Sequence, residues 1–228
     1  MPSQPVSTRQ PPVRTRFPEA SSMLPFTRSL DTDKSDPTVW KLHDLVELTE
    51  NLIEVALEGD ADGVAVASEA VKGAAREVAP LLRQGVAAQI AIRLLEILAA
   101  TRRDDLVALT FATLELYRLA ARQLSSVGGS SIKPVLLLNY AGLKLIALSR
   151  LVPLDWVAVY DTLGEIVLFS YCIDHAPYPI CIGKALADTV TTLLDAIGAN
   201  DRQRLEQSAR RIHIIALRLA GQLDHLHA

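Results

Sequence analysis

Glu58-Gly59-Asp60-Ala61-Asp62, Thr101-Arg102-Arg103-Asp104-Asp105, Val152-Pro153-Leu154-Asp155 and Gly198-Ala199-Asn200-Asp201 are four short polar turns, each set between two apolar runs. Their last acidic residues, Asp62, Asp105, Asp155 and Asp201, lie 43, 50 and 46 residues apart. Gly and Asn tolerate the left-handed backbone that ends a helix, Asp caps the first amides of the next one, and Pro cannot continue a helix. Four such turns at near-regular spacing predict four helical hairpins in series. No period-two alternation persists beyond about five residues, so strands are not expected. The fold class is read as all-α, with about eight helices.

The hairpins can be bounded from these turns outward. Asp36 or Thr38 can cap a first helix at Pro37, and Leu42, Leu45, Leu48, Leu52, Val55 and Ala56 recur at helical spacing as far as Glu58. A second helix is expected from Gly63 to Ala79. The second hairpin pairs Val86–Ala100 with Leu106–Leu124 and ends in the Ser/Gly loop Ser125–Ser131. The third pairs Val135–Leu151 with Asp155–Ile173, and Pro177 and Pro179 interrupt the chain after it. The fourth pairs Ile182–Ile197 with Arg202–Leu223. Units of about 45 residues fit α-solenoid repeats. Because the four share turn chemistry but little sequence, an α-solenoid-like stack and an irregular helical bundle both satisfy the pattern.

Residues 1–37 hold seven of the twelve prolines and few large aliphatics, too little apolar surface to offset ordering entropy. They are read as a disordered Pro/Arg-containing tail, and residues 38–228 as a single all-helical domain. The 228 residues are 50% hydrophobic with net charge -3. A slightly acidic chain makes nucleic acid an improbable partner, since phosphate backbones select basic surfaces. Charges interrupt the apolar runs, so no membrane span is expected. Two cysteines and no apolar leader point to the cytoplasm.

The third hairpin holds the most suggestive chemistry. Asp161, Glu165, Cys172 and His175 share one helical face, and Cys172, His175 and Cys181 form a C-x2-H-x5-C spacing able to ligate a metal. The blander reading makes Cys172 a small core residue and leaves both carboxylates solvated. Trp156 and Tyr160, four residues apart, are expected to pack in the core, with ligand stacking as the alternative. In the last helix Arg204, Arg211 and Arg218 form a stripe flanked by Arg202, Arg210 and His213, which either keeps that face solvated or receives an acidic partner. The first helix carries a complementary row, Glu47, Glu50, Glu54 and Glu58, through which copies could self-associate.

No phosphate loop, nucleophile elbow, H-E-x-x-H or Glu-x-x-His pair is present, and no cofactor is expected. The leading expectation is a non-enzymatic adaptor or scaffold that binds another protein. The alternatives are a small-ligand- or metal-binding domain, possibly an enzyme, with its site in the third hairpin, and a helical transcription regulator.

Overall fold

The computed structural model describes residues 36–127, 132–174 and 180–226, so all of the expected tail but Asp36 and Pro37 lies outside it. Among the described residues there are eight α-helices and no strand: α1 (Pro37–Glu58), α2 (Ala61–Val78), α3 (Gln84–Arg102), α4 (Leu106–Val127), α5 (Ile132–Ser149), α6 (Trp156–Asp174), α7 (Ile180–Gly198) and α8 (Arg202–Leu226). The all-α reading holds, and every helix starts and stops within a few residues of its expected ends. Pro37 is already helical, with Asp36 as its cap accepting from the Thr38 amide at 2.8 Å.

The four turns share one cap chemistry. Asp60, Asp105, Asp155 and Asp201 each accept from the amide three residues on (Gly63, Ala108, Ala158, Arg204) at 3.0 Å. Each thereby satisfies an amide that the first helical turn leaves without a partner. The first cap is therefore Asp60, not Asp62, which sits inside the helix in its first turn. Gly59, Asp104 and Asn200 supply the left-handed residue at φ of 75°, 52° and 53° in three of the turns.

Packing decides between the two architectures. A solenoid stacks each helix on its counterpart in the next unit. Here α1 packs on α4 and α5 on α8, so each pair of hairpins closes into a four-helix ring. The rings join where α4 meets α5, and one core of buried aliphatics runs through both. The fold is a helical bundle.

Within it α5 is the central helix. All of its residues except Lys133, Pro134 and Lys144 are buried. By length and composition α3, α5 and α6 could each cross a membrane, where the sequence reading expected no such segment. For α5 that apolarity is used inside the fold, whereas α3 and α6 turn much of theirs outward.

Candidate functional site

Asn139 stands in the apolar run Leu136–Leu138 and Tyr140–Ala141 of α5, and it is buried. A buried amide must find partners, because an unsatisfied one costs about 1–3 kcal/mol. Three other helices provide them. The Asn139 Nδ2 donates to Glu50 Oε1 of α1 at 2.9 Å and to the Tyr117 hydroxyl of α4 at 3.1 Å. Its Oδ1 lies 2.6 Å from His213 Nδ1 of α8. On the far side of the ring, His213 Nε2 is 3.4 Å from Glu54 Oε1, one turn along α1 from Glu50.

Gly142 permits this arrangement. A Cβ there would lie 3.0 Å from the His213 amide nitrogen and 3.3 Å from its Cα, so any side chain would press the α8 backbone back by a few tenths of an ångström. The network also fixes proton positions. A carboxylate can only accept, so the Asn139 amide nitrogen faces Glu50, its oxygen faces His213, and the proton of the neutral imidazole sits on Nδ1. Nε2 then faces Glu54, as a donor when the ring carries a second proton and as a lone pair when it does not.

The electrostatics are those of a desolvated centre. Burial raises the Glu50 carboxyl above the usual glutamate value, against the lowering influence of His213 and the Asn139 hydrogen bond, while Glu54 adds to the rise. Burial and the neighbouring Glu50 drive the Tyr117 phenol well above its ordinary range, so it stays neutral. The acidic row of α1 is thus partly engaged within the chain.

A second cluster fastens α6 to α4 and α5. The Tyr140 hydroxyl donates to Glu115 Oε1 at 3.1 Å, and Arg118 and Lys144 each stand 5.6 Å from the Tyr140 ring centroid. Glu165 lies 3.6 Å from Lys144 and 3.9 Å from Arg118. Burial, then Glu115, push the Tyr140 phenol up. At the bundle end Arg150 donates to the Leu57 carbonyl and Arg202 to the Ser149 carbonyl, so arginines close the last turns of α1 and α5.

The residues of the third hairpin are placed differently from expectation. Glu165 is half-buried in the ion pairs just described rather than solvated, because α6 turns it inward. Cys172 is exposed rather than in the core, and Asp161 shares its outward face. Trp156 packs partly against the core, but Tyr160, expected there too, points to solvent. His175 and the side chain of Cys181 lie outside the described residues, and Asp161, Glu165 and Cys172 gather no metal cluster. Arg204, Arg211 and Arg218 are exposed, while Arg210 binds Glu206 at 2.7 Å.

Two open grooves run elsewhere. One of about 390 Å³ lies between α1 and α2, lined by Lys41, Asp44, Glu47 and Glu77 among others; one of about 160 Å³ lies between α3 and α4. Neither involves α6. The Glu50–Asn139–His213 centre escaped sequence reading because its members are 89 and 74 positions apart. The available signal was a lone polar residue inside an apolar run, Asn139 in α5 and His213 in Ile212–Ile215. No protein-family model, curated protein or solved structure matches this chain.

Proposed function

We propose that this protein is a cytoplasmic helical scaffold that binds another protein through the outer face of α6. One observation carries the reading. Val157, Tyr160, Val167, Leu168 and Tyr171 are 48–72% exposed and fall on one side of the helix. Single exposed aliphatics are ordinary, but a continuous apolar strip is the usual mark of a binding surface. From Val157 to Tyr171 it extends about 21 Å along the axis at 1.5 Å per residue, the length of roughly four helical turns. Gly164, whose Cβ would meet nothing within 4 Å, leaves a notch in the middle of the strip. An amphipathic helix laid along α6 is the partner such a strip suits.

Cys172 lies at the end of the same face and can report what covers it. A Cys181→Ser protein carrying a photo-crosslinker on Cys172 is irradiated in extract of the cells that make it. The expected result is one discrete crosslinked species, abolished by Leu168→Glu with circular dichroism and unfolding midpoint unchanged. A product that persists with Leu168→Glu sinks the assignment. Light scattering on the same two proteins shows whether the partner is a second copy.

A further inference from the structure

We infer that Glu50, Glu54 and His213 form a binding site for one divalent transition-metal ion, oriented by Asn139. The three side chains each offer a ligand atom within 4.8 Å of the other two. Bonds of about 2.0–2.2 Å place adjacent ligands of a tetrahedral ion roughly 3.3–3.6 Å apart. His213 Nε2 and Glu54 Oε1, at 3.4 Å, already have that separation. Glu50 offers the third ligand atom within 4.8 Å of both.

The surroundings are those a metal site requires. A ligating histidine coordinates through one ring nitrogen while the other donates to a fixed acceptor, which holds tautomer and ring plane. Asn139 Oδ1 is that acceptor, at 2.6 Å from Nδ1, and the same amide steadies Glu50 from its Nδ2. One side chain thus orients two ligands, and Tyr117 in turn holds the amide. Access is available because Glu54 is 48% exposed, whereas His213 at 14% faces inward.

Charge supplies the driving force. The Glu50 and Glu54 carboxyls meet beside His213, and a divalent cation held there offsets their negative charge. Two carboxylates and one imidazole select zinc, manganese, iron or cobalt; soft Cu(I) wants thiolates, and calcium or magnesium wants oxygen alone. The competing state is an imidazolium between two carboxylates with no ion.

The test uses the full chain in a Cys172→Ser/Cys181→Ser background, which removes thiol ligands, after chelator treatment. Titration with zinc and with manganese alone should show one ion per chain and a raised melting temperature. Glu54→Gln and His213→Gln should each weaken binding at least tenfold, and Asn139→Ala about 10–100-fold. Because Glu54 is half-exposed, Glu54→Gln should retain the parent circular dichroism, so a loss there is not unfolding. Ring-nitrogen NMR should show zinc shifting His213 Nε2 and leaving Nδ1 protonated. Absence of stoichiometric binding in the parent, or parent-like binding by both Glu54→Gln and His213→Gln, overturns the site, as does a His213 ring protonated on both nitrogens in excess zinc. None of these outcomes depends on the α6 surface.

Discussion

Helices α5 and α6 are consecutive, differ by one residue in length, and contain windows of equal mean hydropathy, 1.3, yet 83% of that window is buried in α5 and 28% in α6. Composition sets how much apolar surface a helix carries. Its neighbours decide how much of it leaves water. Packed by α4, α6 and α8, α5 is covered on all sides; α6 rests firmly on α5 and only lightly on α7. The same alphabet of side chains therefore builds a core in one case and an outer face in the other.

The sharpest way to break this contrast is truncation of equivalent leucines. Leu138→Ala in α5, fully buried, should cost about 2–5 kcal/mol in urea unfolding, because it removes packed methyls and leaves a cavity. Leu168→Ala in α6 should change stability by less than about 0.5 kcal/mol. Equal losses at both positions would mean that α6 is covered in solution. Next in size, Gly142→Ala should cost about 1–3 kcal/mol, since the new methyl meets the α8 backbone rather than a yielding side chain. A gain in stability there would show that α5 and α8 sit further apart than described.

The smallest effect concerns charges at the end of α5. Burial favours the neutral Glu206 carboxyl, but the Arg210 hydrogen bond and charge, with Arg150, outweigh it and hold the group below the usual glutamate value. A carboxyl depressed by folding stabilises above its unfolded value and loses that contribution as pH falls through its folded one. Glu206→Gln should therefore lower the melting temperature modestly at pH 7, and the difference from the parent should shrink as pH falls through and below the usual glutamate range. A difference that persists in acid would assign the effect to packing.

How much of this was readable beforehand follows from distance along the chain. The caps and turns are local: an aspartate and its amide partner three residues on, with a left-handed residue before them in three of the four turns, fall within one pentapeptide, so all four hairpins were legible. The second helix was expected from Gly63 and starts at Ala61, because Asp60 and Asp62 differ only in which one precedes the helix. Ring closure by α1 on α4 and α5 on α8 is a property of the assembled layers, and no local pattern encodes it. For the same reason Tyr160 and Cys172 were expected inside, Glu165 outside, and the Asn139 centre was not assembled at all. A spacing of four residues defines a helix face without saying which way that face points.

The all-round burial of α5 has a consequence for the order of synthesis. Helices α1 to α4 can close their ring as soon as they emerge, but α5 needs α8, whose first residue, Arg202, follows Ser149 by more than fifty positions. At about 5–20 residues per second, translating from Ser149 to the last described residue takes roughly 4–15 s. During that interval one side of the most deeply buried helix of the bundle stays bare on the nascent chain. Protection by a chaperone, or temporary cover from α6, is thus built into the demands of this topology before the native protein exists.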